Sequence, residues 1–246
     1  MRKIILLSIG LSAILSADPR YAMSMGAGYV GSMIENNNGI PSSLNTNGQY
    51  GDQNGFNIRT SFIVNDGLLY GNGGYLKIQY DRVDGVSNGE SRNNFIQKKM
   101  EAYNVELTEE YWTRKYHVYS GIVAENNNID MTSTLGDTSS YKYTGLGLEF
   151  GGEYNFNHWL SIGGLIGATY LFNGSITING YKEKINTGTN YFASLPIRFK
   201  INQNFNILWE TKVKHVSIGG TNISYNSNTR AGFDIHTSTV SFNMVF

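Results

Sequence analysis

The chain has no cysteine, three prolines and a charged fraction of 15%. Without cysteine it has neither a disulfide framework nor a thiolate metal site. It also lacks the run of about 20 apolar residues that a membrane-spanning helix requires. Its longest apolar stretch, Ile4 to Leu15, is short and interrupted by Ser8, Gly10 and Ser12. Nor is there an excess of basic charge, since 19 Lys and Arg balance 19 Asp and Glu, so nucleic acid is not an expected partner. What the chain has in quantity is glycine (29), tyrosine (17) and phenylalanine (12), with many asparagines. That composition suits strands joined by turns better than helices.

The first residues have the pattern of a secretory signal peptide. Arg2 and Lys3 precede the apolar run, and Leu15-Ser16-Ala17 is a plausible cleavage site. Residues 1–17 are therefore expected to be removed, leaving 18–246 as one β domain with a formal charge of −2.

Alternation of period two recurs through the rest of the chain. Tyr21, Met23, Met25, Ala27 and Tyr29 share one parity, and Phe56, Ile58, Phe62 and Val64 another strand's apolar face. Leu76, Ile78 and Tyr80 follow, then Tyr103, Val105 and Leu107, then Tyr116, Val118 and Ile122. Leu146, Leu148, Phe150 and Tyr154 make a sixth, and Leu160, Ile162, Ile166 and Tyr170 a seventh. Tyr191 to Ile201 and Phe205 to Val213 complete nine, and the C-terminal strand makes ten. Short connections are expected at 65–67, 108–110, 155–158 and 202–204, and long ones at 35–54, 83–98, 126–140, 173–188 and 217–230. The two kinds alternate, which puts both chain ends on the short-turn side.

The last ten residues, Thr237 to Phe246, set Val240, Phe242, Met244 and Phe246 against Thr239, Ser241 and Asn243. A strand with one apolar face and a terminal aromatic resembles the closing strand of bacterial outer-membrane β-barrels. The resemblance implies an all-β, transmembrane, antiparallel up-and-down barrel. It also implies that Val240, Phe242, Met244 and Phe246 form the signal read by the barrel-assembly machinery. Even strand number, short turns at one end and longer loops at the other agree with that class. Aromatics fall near both strand ends: Tyr154, Phe156, Phe199, Phe205 and Phe246 at one, Tyr29, Tyr80, Tyr170, Phe172 and Tyr191 at the other. Such pairs of girdles fit the two interfaces of a bilayer. The expected location is the outer membrane of a Gram-negative bacterium with periplasmic termini, among lipid and lipopolysaccharide.

Parity assigns Arg59, Lys77, Glu106, Lys115, Glu149, Glu153, Arg198, Lys200, Glu210 and Lys212 to the lumen. Mixed charge at this density either fills a narrow interior with ion pairs or lines a wet eyelet that selects ions. Ten strands are intermediate between a filled barrel and a channel. A small porin-like channel and a surface-interaction protein with five outer loops both follow, neither with a cofactor.

A second constellation sits on the outward face. His215 and Ser217 end the penultimate strand, and Asp234 and His236 enter the last. If Phe205 lies opposite Met244, Asp234 falls opposite His215. Hydroxyl, imidazole and carboxylate in reach follow the logic of a hydrolytic triad. The arrangement resembles the lipid A 3-O-deacylases of outer membranes, which implies Ser217 as nucleophile, His215 as base and Asp234 as its orienter, acting on a lipid A ester. This chain has Ile218 where that family has Asn after the serine. The Asp-x-His spacing of Asp234 and His236 also exists in omptin proteases, but here it lies on the closing strand with outward parity and no partner acid pair. Gly26-Ala27-Gly28-Tyr29-Val30-Gly31 matches a dinucleotide fingerprint, yet no βαβ unit follows. Asp81, Asp84, Asn88 and Glu90 lack EF-hand spacing and read as a solvated loop. His117 and His158 have no companions at ligand spacing.

Overall fold

A computed structural model describes residues 23–38, 42–45, 51–65, 73–90, 93–185, 187–219 and 231–246. The expected signal peptide and the turn at Asp66-Gly67 lie outside these residues. Among these residues eleven strands are present: β1 (Met23–Asn38), β2 (Gln53–Asn65), β3 (Gly73–Asn88), β4 (Phe95–Trp112), β5 (Tyr116–Ser133), β6 (Thr138–Asn155), β7 (Leu160–Ile178), β8 (Tyr181–Ile185), β9 (Thr187–Lys200), β10 (Phe205–Gly219) and β11 (Ala231–Val245).

Every neighbouring pair is antiparallel, β6 pairs with β7, and β1 pairs with β11, so ten strands close into a barrel. Closure follows from the apolar outer face: an open edge has no partner in a bilayer. The seam is fixed at its end by reciprocal backbone bonds, Phe246 N to Met23 O at 2.8 Å and Met23 N to Phe246 O at 3.2 Å. Among the described residues β8 is the one strand outside the ring. It folds back on β7 through Asn179 and Gly180, both at positive φ (48° and 84°), as a tight hairpin turn requires.

The expected strand order and the β10–β11 register hold, with Phe205 opposite Met244 and His215 opposite Asp234. Strand lengths do not. β4, β5 and β6 each have 18 residues and β7 has 19. A tilted strand crosses the hydrocarbon in about 9–11 residues, so these strands stand well beyond it. Most of the segments expected as long loops at 83–98, 126–140 and 173–188 are strand. The turn expected at 108–110 falls instead at Thr113-Arg114-Lys115, where Thr113 N bonds Tyr116 O at 2.8 Å.

The extra length is built on an inversion of the two faces. In the lower part the outer face is apolar, with Leu148 at 69% and Ile166 at 62% exposure. Surface of that kind needs lipid around it. The inner face there is charged. Higher up the same inward parity carries Val30, Ile34, Ile129, Met131, Tyr141, Tyr143, Phe233 and Ile235, all at or near zero exposure. The outward residues between them, Asn126, Asn128, Asp130 and Lys142, are polar. A hydrophobic core thus fills the far end of the barrel, as water on its outside demands.

Connections at that end are tied to one another. Leu44, in a short 3-10 turn (Ser42–Leu44), is fully buried in the core. Asn94 donates to Ser43 O at 2.6 Å and accepts from Ser133 Oγ at 2.7 Å. Asp137 accepts from Ser43 Oγ and from Asn179 Nδ2, the latter at 2.7 Å. Its side-chain bonds to Ser43 and Asn179 hold its carboxyl below the usual aspartate range.

Candidate functional site

The lumen has three zones, ordered from the turn end to the loop end. The first is a polar vestibule of about 430 Å³. Arg59 from β2 meets Glu210 from β10 at 3.4 Å and Asn57 Oδ1 at 3.0 Å. Lys77 from β3 meets Glu110 from β4 at 2.5 Å and lies 4.5 Å from the centre of the Tyr119 ring. Glu110 also contacts His117 Nε2 at 2.9 Å and accepts from Thr108 Oγ1 at 3.0 Å. The Trp112 ring stacks on His117 with centroids 3.5 Å apart. Arg198 from β9 grips Glu153 from β6 through two nitrogens, at 2.8 and 3.2 Å. Lys200 donates to Asn155 at 2.9 Å near the mouth. Lys212 lies over the Phe192 ring, 4.6 Å from its centre.

The second zone is a buried knot around Glu125. Lys214 reaches it across the barrel at 3.2 Å, Asn127 donates at 3.0 Å, Asn190 at 2.7 Å, and Thr169 supplies a fourth bond. One carboxylate thereby receives donors from β5, β7, β9 and β10, which satisfies the acceptor capacity an ionised acid carries. The third zone is the hydrophobic core of the loop end. Together the knot and the core close the vestibule at its inner end among the described residues.

Of the residues expected in the lumen, Arg59, Lys77, Glu106, Glu149, Glu153, Arg198, Lys200, Glu210 and Lys212 lie on inward faces. Lys115 does not: β4 continues to Trp112, so Lys115 falls in the exposed turn, where strand parity no longer applies. Arg114 shares that turn, which spares the lipid face an arginine. Sequence reasoning missed Glu110, His117, Glu125 and Lys214 as a set. Glu110 was hidden by the misplaced turn, and Glu125 by standing at the edge of the expected loop, just past the last patterned residues of its strand. The available signal was parity: Glu106, Glu110 and Lys98 share one face of β4, and His117, Tyr119 and Glu125 one face of β5.

The outward rim forms as its register requires. His215 Nδ1 is 2.6 Å from Asp234 Oδ1. Ser217 faces Gly232 on one side and Thr189 on the other, and no hydrogen bond joins it to His215. His236 lies one step lower, opposite Val213 and Met33. Val240, Phe242 and Phe246 are exposed on the outer face of β11, and Met244 is half-buried beside them.

This is the fold of the bacterial outer-membrane β-barrels. The outer-membrane protease OmpT of Escherichia coli has a similar structure, with a TM-score of 0.55 at 9% identity over 93% of this chain and 97% of that one. The attachment invasion locus protein Ail of Yersinia pestis aligns at 0.39 and 12% identity, over 92% and 99% of the two chains. The toluene transporter TodX of Pseudomonas putida aligns at 0.38 and 8%, over 94% and 91%. No family model matches the sequence, and no curated protein does.

Proposed function

We propose that the chain is an integral outer-membrane protein that works by surface contact rather than solute passage. In this reading the turn end and both termini face the periplasm, and the tied loop end stands outside the cell. Lipid and lipopolysaccharide surround the apolar belt, residues 1–17 direct export, and Val240 to Phe246 form the assembly signal. The observation that carries the reading is the hydrophobic core of the loop end, capped by Leu44. A hydrated ion entering a close-packed apolar layer loses its water without compensation, which costs many kcal/mol. The hydrogen-bonded connections above that core offer a preorganised polar surface, which suits contact better than a mobile loop does.

Conductance of the refolded barrel in a planar bilayer tests this. No current steps are expected from protein whose folding is verified by heat-dependent gel mobility. Stable steps whose ion preference shifts in Arg198→Glu would overturn the reading and restore the porin-like one.

A second reading, an outer-leaflet lipid ester hydrolase, is favoured by one contact, the short His215–Asp234 bond on the outer face. That bond orients the imidazole and leaves Nε2 for Ser217. Loss of deacylation of lipid A in Ser217→Ala, with folding intact, would support it. Equal lipid profiles with wild type and variant would remove it.

A further inference from the structure

The vestibule holds one cation more than its acids can match. Five Lys and Arg line it against four Glu. Three of the cations are paired: Arg59 with Glu210, Lys77 with Glu110 and Arg198 with Glu153. Lys212 has Glu210 and Glu106 as charged neighbours. Lys200 is the remainder. Its ammonium donates to Asn155 Oδ1 at 2.9 Å and forms no ion pair among the described residues. The acid acting on it, Glu153, is taken by two nitrogens of Arg198 and by Ser161 Oγ.

Beside Lys200 stands a second donor. Its register partner on β10 is Asn206, 7% exposed and part of the cavity lining. Asn206 Oδ1 accepts from Arg198 Nη1 at 3.3 Å and from Asn243 Nδ2 at 3.1 Å. A guanidinium only donates, so the orientation of the Asn206 amide is fixed and its Nδ2 is left to donate. Asn155 is fixed as well, with Nδ2 donating to Arg114 O at 3.1 Å and the backbone N to Lys115 O at 2.7 Å. The turn held in this way brings Arg114 and Lys115 to the same rim, both exposed and neither in an ion pair among the described residues. An ammonium with two unused N–H groups beside a preset amide donor complements a carboxylate, whose two oxygens accept from both. The cavity also offers a flat wall for the body of such a ligand. The Trp112 ring, 45% exposed, stacks on His117, and His117 lies opposite Glu153 in register. Indole, Glu153 and Arg198 thus follow one another along one arc of the wall. The volume of about 430 Å³ falls within the range of small-molecule sites.

We propose that the turn-end mouth of the vestibule binds a small organic carboxylate, its charged group held by Lys200 and Asn206 and its ring or apolar body laid along Trp112. The site opens at the end opposite the tied loops, so it does not depend on whether the loop end binds a surface partner.

The test is a calorimetric titration of the refolded full barrel in detergent with benzoate, against a blank of the same micelles without protein. Saturable binding is expected with benzoate and none with benzamide, its uncharged analogue of the same shape. Lys200→Gln keeps a donor for Asn155 but removes the charge, and should weaken binding about tenfold or more, as loss of one charged hydrogen bond predicts. Trp112→Leu, with folding verified by heat-dependent gel mobility, should weaken it about threefold or more through loss of the ring contact. Lys142→Gln removes the same charge from the outer face at the far end and should leave binding unchanged. Absence of saturable heat beyond the micelle blank would overturn the proposal. Equal binding of benzamide, or undiminished binding of benzoate by Lys200→Gln, would overturn it as well.

Discussion

Glu125 and Lys214, 89 residues apart in the chain, meet across the barrel at 3.2 Å with side chains 2% and 9% exposed. Their contact spans from β5 to β10, so it braces the ring rather than a neighbouring pair. Glu125→Gln keeps the shape and one acceptor oxygen but leaves the Lys214 ammonium buried without its counter-charge. Breaking a buried pair in this way costs about 3–5 kcal/mol. The heat-dependent gel shift of the variant should therefore occur at a clearly lower temperature. Combining it with Lys214→Met should recover only part of the loss, because Thr169, Asn190 and Asn127 still donate to the weakened acceptor. Full recovery in the double variant would mean that the ion pair alone matters there.

Phe233 predicts the opposite kind of cost. Its ring is fully buried, 5.4 Å from Tyr141 and 6.1 Å from Tyr143 between centroids. Phe233→Ala should destabilise the loop-end core by about 3–5 kcal/mol, through lost burial and the cavity left behind. The variant should still pass no current, since Ile34, Val216 and Ile235 remain packed around the gap. Conductance in Phe233→Ala but not in wild type would identify this single ring as the barrier.

The inversion of faces explains which parts of the fold were readable. In the membrane band, apolar outward residues such as Leu146, Leu148 and Phe150 alternate cleanly, and the strands there are evident from period two. Beyond it, Asn126, Asn128 and Asp130 point outward into water. A reader following the apolar outer face loses the strand at that point and writes a loop. Ile129 and Met131 keep the inward parity of Glu125, but the chemistry on that parity changes from polar to apolar. The strand continues while its pattern reverses, and only three-dimensional closure reveals this. The His215–Asp234 pairing was legible because both residues lie on well-patterned strands whose register one contact fixes. The Glu125 knot was not, because it draws on four strands and no local spacing encodes it.

The seam gives a third expectation. Phe246 closes the barrel through two backbone bonds to Met23, and its ring is half exposed at the lower girdle. Deleting Phe246 removes both bonds and the ring, a loss of about 1–3 kcal/mol. Refolding into detergent or lipid should give a smaller heat-modifiable fraction, and export in cells should accumulate unassembled chain. Normal assembly in cells with impaired refolding in vitro would separate the bonds from any signal role of the C-terminal strand.

Acidification should loosen the loop end through Asp137. Its carboxyl titrates below the ordinary aspartate range because Ser43 and Asn179 hydrogen-bond its ionised form. A depressed value in the folded state means that the charge contributes stability above the unfolded value of about 4. That contribution is lost as pH falls through the folded value. Amide protection at Gly136 and Thr138, which flank the carboxylate, should therefore fall over that acidic window in the intact barrel once the intrinsic pH dependence of exchange is divided out, while the Glu125 knot stays protected. In Asp137→Asn the same amides should exchange faster at neutral pH and show a flatter profile below pH of about 4. Identical profiles in the two proteins would mean that the carboxylate does not hold the connections together, and that burial of Leu44 anchors them instead.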